Sequence, residues 1–487
     1  MSNSILTQET YSNELKVYVN QERAANDLIH TIGKLMFEKS IELVLFRNHL
    51  VDTSITELLR LHRYAADMVG KPISVFDSAE LAEEIYNMDL APAKIDIGKL
   101  ADEWISQRES YNSVQDFLED KFQNFLVTEN NPLEPRDVIL YGFGRIGRLA
   151  ARELIKQAGK GQQLRLRAIV MRSLDEKSLT KRATLLENDS VHGAFKGTVD
   201  IDFDNSCLII NGQRVNMIQA SSPDQIDYTK YGISNALVID NTGAFRDKAA
   251  LSLHLKSEGV EKVILTAPGK GIPNIVYGIN HRDLDIDKED IFSAASCTTN
   301  AISPILKIIQ DNYGVDSGHI ETVHAYTNDQ NLLDNMHKKQ RRGRSAAINM
   351  VITETGAGKA VTKVIPSLAG KLTANAVRVP TPNGSLAIMQ LNISKIVSKT
   401  EVQDLLKKHA LTGELVNQIF YSNNEELVSN DIIGNECCAV FDSPATLVSE
   451  DGKRIVLYTW YDNEFGYTKQ VIRLAKYVAK VRRNIYY

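Results

Sequence analysis

The chain has 487 residues, too many for one ordinary hydrophobic core, so two or three domains are expected. Its 43% apolar and 24% charged residues suit a soluble globular protein, and a net charge of -5 argues against a whole-chain nucleic-acid binder. With no apolar run near about eighteen residues, no signal-peptide pattern and four cysteines that make no disulfide framework, neither a membrane span nor an oxidising compartment is expected, and the default setting is the cytoplasm.

Residues 1–130 read as an all-α N-terminal extension of four to six helices. Apolar residues recur there at what reads as helical spacing, as in Leu43, Leu45, Leu50 and Val51, then Leu58, Leu59 and Leu61. Helix starts are expected at Asp77-Ser78-Ala79-Glu80 and at Asn112-Ser113-Val114-Gln115, where short polar side chains can cap free N–H groups. The polar, Pro-containing stretch from Thr128 to Pro135 reads as a linker.

From Val138 onward, short apolar runs alternate with amphipathic stretches, which predicts a doubly wound parallel sheet of the Rossmann type over residues 137–296. Its first turn is Val138-Ile139-Leu140-Tyr141-Gly142-Phe143-Gly144-Arg145-Ile146-Gly147-Arg148, a strand, then G-x-G-x-x-G, then a helix. Gly142 permits the tight turn, Gly144 lets the backbone approach a pyrophosphate, and Gly147 allows close helix–strand packing. Arg145 and Ile146 belong to the same cofactor loop, and the helix start offers N–H groups to phosphates.

The second strand, residues 166–171, ends at Arg172-Ser173, where an Asp or Glu for the adenosine ribose is expected. Asp175 could fill in if the loop bends back. An Arg here suits a 2′-phosphate, because guanidinium matches phosphate oxygens. The cofactor is therefore expected to be NAD or NADP, with NADP usable.

Farther on, Ile291-Phe292-Ser293-Ala294-Ala295-Ser296-Cys297-Thr298-Thr299-Asn300 runs from an apolar strand into a helix. A thiol at a helix N-terminus has its thiolate stabilised by the dipole, and a neighbouring His would assist. By itself a lone Cys is more often a small buried hydrophobe. Residues 297–462 read as an α+β mixed-sheet catalytic domain, with a C-terminal helix over 463–487 completing the Rossmann domain.

Ala295-Ser296-Cys297-Thr298-Thr299-Asn300 resembles the active-site segment of the phosphorylating glyceraldehyde-3-phosphate dehydrogenases. Similar blocks follow in the same order, among them His324-Ala325-Tyr326-Thr327-Asn328-Asp329-Gln330, Thr355-Gly356-Ala357-Gly358-Lys359, Arg378-Val379-Pro380-Thr381-Pro382 and Trp460-Tyr461-Asp462-Asn463-Glu464-Phe465-Gly466-Tyr467, and upstream Asp189-Ser190-Val191-His192-Gly193. The resemblance covers about residues 137–480 and does not reach the first 130.

The resemblance implies Cys297 as nucleophile and His324 as base, with glyceraldehyde 3-phosphate and inorganic phosphate as partners. It implies one anion site on Thr327 and Arg378, and a second on Ser296, Thr298, Thr355, Gly356 and Arg342. Asn463 would hold the nicotinamide carboxamide and Thr266 would lie along the cofactor; no metal is expected. The basic run Lys338, Lys339, Arg341, Arg342 and Arg344 would lie on a loop reaching a neighbouring subunit, implying a homotetramer. Erythrose-4-phosphate dehydrogenase resembles the same pattern, and a non-catalytic scaffold protein is the less favoured alternative. Arg172, Asn335-Met336 after Asp334, and Ser221 before Ser222-Pro223 depart from strictly NAD-dependent relatives, all toward the adenosine end of the cofactor.

Overall fold

The computed structural model describes residues 8–126, 134–156 and 163–487. The expected linker lies mostly outside the described residues. Contacts divide the chain into two units: residues 1–135, 158–163 and 481–487 form one, and 136–157 with 164–480 form the other.

The first unit carries five α-helices among the described residues, Gln8–Lys39, Ile55–Val69, Val75–Asn87, Ile97–Gln107 and Val114–Lys121. Ser113 caps the last of these, accepting the amide of Asp116, where a helix start was expected. The other expected start is shifted: Ser74 caps the helix that already contains Asp77 and Ser78. The unit also departs from the all-α expectation. Asn48–His49, Glu42–Leu45, Ala93–Asp96 and Asn484–Tyr486 form a four-stranded sheet in that order, the last three parallel.

The physical reason lies in residues 42–45, all four of which are buried. A strand covered on both faces shows no polar alternation, and periodicity cannot separate it from a buried helix turn. Leu43 and Leu45 are strand neighbours on one face. The hairpin that follows puts Phe46 and Arg47 at φ 40° and 64°, where side chains are rarely found. Buried Asp96 holds it by accepting the amides of Phe46 and Arg47 at 2.8 and 3.1 Å, while also capping the helix that starts at Ile97.

The second unit contains two eight-stranded sheets. In the first, Ile291–Ser293, Val260–Leu265, Ala236–Asp240, Arg136–Tyr141, Leu164–Met171 and Gln213–Gln219 run parallel in that order, followed by Cys207–Ile210 and Val199–Asp202, each antiparallel to the strand before it. Successive connections leave Arg136–Tyr141 in opposite directions, which makes its C-terminal end the topological switch point where such sheets bind ligands. This is the doubly wound Rossmann sheet the sequence predicts. The second sheet is mixed. Its centre sets Leu372–Val379 parallel to Val315–Ala325, then Ser385–Ile393 and Arg454–Tyr461 antiparallel. The helix near the C-terminus spans Phe465–Val478 and stops short of the expected 487, because residues 484–486 join the sheet of the first unit. No helix among the described residues is long and apolar enough to cross a membrane.

Candidate active site

At the switch point, Gly142 has φ +96° and Gly144 begins the helix Arg145–Ile155. A Cβ on Gly147 would stand 2.4 Å from the Gly142 carbonyl oxygen, so only glycine lets helix and strand approach this closely. The result is a main-chain cradle at a helix N-terminus, a fit for a dinucleotide pyrophosphate. Ile146 is half-buried on the first turn. Arg145 turns away to Glu464, bonding both its carboxylate oxygens at 2.5 Å. Thr266 follows the strand Val260–Leu265, and its hydroxyl donates to the Asp240 carbonyl at 3.0 Å.

Arg172 is exposed just past the strand Leu164–Met171. Asp175 does not bend back. It caps the helix Glu176–Glu187, accepting the Ser178 amide at 2.9 Å and its hydroxyl at 2.8 Å, and these bonds hold its carboxyl below the usual range.

Cys297 is the first residue of the helix Cys297–Tyr313, capped by Ser296, whose oxygen accepts the Thr299 amide at 3.0 Å. The turn into this helix places Ala295 at φ +56°. Asn300 braces the turn by donating to the carbonyls of Ala294 and Ser296 at 2.9 and 3.0 Å, and the Tyr467 hydroxyl donates to Ala295. A strained residue held this firmly fixes where the next side chains point. The sulfur of Cys297 lies 3.7 Å from Nε2 of His324.

His324 is buried near the end of the strand Val315–Ala325, and its Nδ1 pairs with the Ala325 carbonyl at 2.7 Å. That partner is an acceptor only, so Nδ1 carries the proton and Nε2 presents a lone pair to the thiol. Burial, then the nearby Arg378 charge, push the His324 pKa down to about 3. Burial pushes the Cys297 thiol up, opposed by Arg378 and by hydrogen bonds at Thr298. Both shifts run toward the uncharged forms, a thiol beside a neutral imidazole, against the thiolate that a helix N-terminus favours.

The candidate anion residues fall into one connected set and several separate positions. Arg378 donates to Thr327 Oγ1 at 3.1 Å, Thr327 donates to Asp329, and Asp329 accepts from Arg342 at 2.5 Å. Asp329, which the sequence reading leaves without a role, thus joins the two expected anion sites. Arg378 Nε is buried without a partner among the described residues, an unsatisfied donor suited to an anion. Ser296 is engaged with Thr299, and Thr298 with the Tyr461 hydroxyl at 3.1 Å. Thr355 accepts the Ala357 amide, and Gly356 begins the helix Ala357–Val364, which packs on the Cys297 helix.

Asn463 is buried, and its Oδ1 accepts from Ser385 at 2.8 Å. Its neighbour Glu464 also bonds His192 at 2.9 Å, and Asp189 holds the amides of Val191 and His192. The quoted blocks contain His192 and Glu464, but their pairing across 272 positions carries no local signal.

Residues 136–248 match the family described as glyceraldehyde 3-phosphate dehydrogenase, NAD binding domain, and residues 296–463 match its C-terminal domain. A glyceraldehyde-3-phosphate dehydrogenase-like protein from Pseudomonas aeruginosa (strain UCBPP-PA14) is 46% identical over 458 residues, 93% of this chain and 98% of the relative. Proteins named glyceraldehyde-3-phosphate dehydrogenase from Clostridium pasteurianum (36% identical) and glyceraldehyde-3-phosphate dehydrogenase 1 from Bacillus subtilis (strain 168) (39%) cover 71% and 70% of this chain and 99% and 97% of themselves. The Pseudomonas match is far longer than the second unit and so reaches into the first. The chain belongs to the glyceraldehyde 3-phosphate dehydrogenase family.

Proposed function

We propose that the chain oxidises D-glyceraldehyde 3-phosphate with inorganic phosphate to 1,3-bisphosphoglycerate, reversibly, through a thioester on Cys297. The observation that carries this reading is the Cys297 sulfur 3.7 Å from the lone-pair nitrogen of His324. His324 takes the thiol proton as sulfur attacks the aldehyde carbon and returns it to the alkoxide that forms, giving a hemithioacetal. It then takes the hydroxyl proton as the carbonyl re-forms. A bound nicotinamide dinucleotide supplies the two-electron acceptor for that oxidation. Inorganic phosphate attacks the thioester, and the thiol leaves with the acyl phosphate formed. The Cys297 N–H at its helix start and the His324 imidazolium stabilise oxyanion charge.

Arg378 and Thr327 bind one phosphate in this reading, and Arg342 with Ser296, Thr298, Thr355 and Gly356 binds the other. Arg342 lies 2.5 Å from Asp329, so an arriving anion shares or displaces that carboxylate. Gly142, Gly144, Ile146, Gly147, Thr266 and Asn463 hold the cofactor together with the main chain of Arg145, whose side chain is taken up by Glu464. Exposed Arg172, standing at the strand end where a ribose acid is expected, supports use of NADP as well as NAD. Exposed Leu332, Leu333, Met336, Ile348, Met350 and Ile352, on and beside the basic loop, support a homotetramer.

The test is purified chain assayed with glyceraldehyde 3-phosphate and with erythrose 4-phosphate, with each cofactor, with and without phosphate. Phosphate-dependent turnover of the triose is expected, and phosphate-independent release of an acid from the tetrose would favour the alternative. Cys207, Cys437 and Cys438 are buried while Cys297 is half-buried, so one alkylation per chain is expected to abolish turnover, as is Cys297→Ser. Full activity after either change would sink the proposal.

A further inference from the structure

We propose that Ser385 is a positioning residue for the nicotinamide end of the cofactor site, its hydroxyl fixing which way the Asn463 amide faces. The proposal rests on the reading of Asn463 as the carboxamide ligand. Ser385 opens the strand Ser385–Ile393 and is 0% exposed. Its Oγ accepts the Ala325 amide at 3.1 Å and donates to Asn463 Oδ1 at 2.8 Å.

A side-chain amide has a donor end and an acceptor end of nearly equal size, so sterics alone do not choose between its two flips. The choice here follows from the direction of the Ser385 hydroxyl. The Ala325 N–H can only donate, and it occupies a lone pair on Ser385. The Ser385 hydroxyl, which also meets the Tyr461 side chain, directs its hydrogen to Asn463 and there requires the acceptor, Oδ1. The Nδ2 donor is left facing the other way, the end a nicotinamide carboxamide oxygen needs.

The backbone on either side is already pinned. Asp462 Oδ1 accepts the amides of Glu464 and Phe465 at 2.9 and 2.8 Å and the Asn383 side chain at 2.8 Å. Glu464 is held by Arg145 and His192. With these contacts fixed, the amide flip of Asn463 is the freedom that remains, and Ser385 removes it. Ala325 also supplies the carbonyl that fixes the tautomer of His324, so one buried hydroxyl links the strand of the base to the cofactor anchor.

The test is calorimetric titration of two probes, NAD+ and ADP-ribose, which lacks the nicotinamide, into the full chain and its variants. Ser385→Ala is expected to weaken NAD+ binding about tenfold, the scale of one lost hydrogen bond, and to leave ADP-ribose within about twofold. Asn463→Asp keeps the acceptor but loses the donor, and should match that loss. In an Asn463→Ala background, Ser385→Ala should cost nothing further. If Ser385→Ala does not fold, Ser385→Cys, similar in shape but a far weaker donor, should give the same pattern.

Unchanged NAD+ affinity in the Ser385 variants, with Asn463→Ala weakened, overturns the proposal and leaves the Asn463 reading standing. An equal loss for both probes overturns it as general structural damage. If Asn463→Ala itself leaves NAD+ affinity unchanged, the reading beneath the proposal fails first.

Discussion

His324 Nδ1 and Arg378 Nη1 converge on one acceptor, the carbonyl oxygen of Ala325, at 2.7 and 2.9 Å. The two residues are register partners across the parallel strands Val315–Ala325 and Leu372–Val379. A fixed cation beside an imidazole opposes its protonation, which is why Arg378 follows burial in holding His324 near 3. The pairing keeps Nε2 a proton acceptor while bringing a guanidinium to the position proposed to bind a phosphate.

Removing that charge should raise the His324 pKa. In Arg378→Gln, the midpoint of His324 protonation, followed by nitrogen chemical shift, is expected to move up from about 3 toward the ordinary imidazole range. The acid limb of Cys297 alkylation should move to higher pH with it, since His324 is then protonated at pH values where the parent is neutral. A midpoint that stays put assigns the depression to burial alone. Inorganic phosphate added to the unaltered chain should shift it in the same direction, because a bound anion offsets Arg378 and Arg342.

Replacing His324 tests its proposed role as the base and leaves the thiol in place. His324→Gln is expected to lower kcat by about 10²–10⁴. Alkylation of Cys297 should slow as well. A decrease under tenfold would show that another group carries the proton.

Gly147→Ala tests the cradle. Its Cβ would meet the Gly142 oxygen at 2.4 Å, and main chain cannot yield as a flexible side chain can. Binding of NAD+ should fall below detection, and the second unit should lose about 1–3 kcal/mol. Gly144→Ala is the matched control for packing, with open space around its Cβ position. Equal destabilisation by both changes would refute the packing argument.

The parts of this molecule legible in its sequence are those written in contiguous residues. The strand–loop–helix around Gly142, and Ser296 followed by Cys297, are local patterns whose physics is local. The strand at 42–45 reads as helix in the sequence because burial on both faces erases alternation. Asp329 and Ser385 sit inside recognisable blocks, yet their roles depend on partners such as Arg342, Ala325 and Asn463 that only the sheets bring close. Asp175 shows the converse: a plausible ribose acid by position, it is committed to a helix cap.

Acid should loosen the first unit through His62. The residue is buried, with Nδ1 on the Leu58 carbonyl at 2.8 Å and Nε2 on the Ser78 hydroxyl at 3.0 Å, and burial lowers its pKa. Its neutral form is favoured in the folded state. The stability this represents is fully present above the unfolded value of about 6.5 and is lost as pH falls from there through the folded pKa. Hydrogen exchange in residues 55–87 should therefore accelerate on acidification below about pH 6.5. His62→Gln should flatten that dependence; an equally steep profile in the variant would assign it to other groups.

The end of the chain is a structural part of the first unit. Residues 484–486 extend its sheet, pairing Asn484 with Ala93 and Tyr486 with Ile95. Tyr486 packs edge-on against Phe122 at 5.3 Å, and buried Arg483 pairs with Glu42 at 3.4 Å. A stop codon after Lys480 removes the strand, the ring and one of the cations around Glu42, whose carboxyl Lys94, His49 and Arg483 together hold well below its usual range against burial. Stripping a partner from a buried ion pair costs about 3–5 kcal/mol, enough to open a small unit. Amides in Glu42–Leu45 and Ala93–Asp96 should lose their protection from hydrogen exchange in the truncated chain. Those in Val315–Ala325, which belong to the other unit, should keep theirs. Retained protection in both sets would mean that the first unit folds without its last strand.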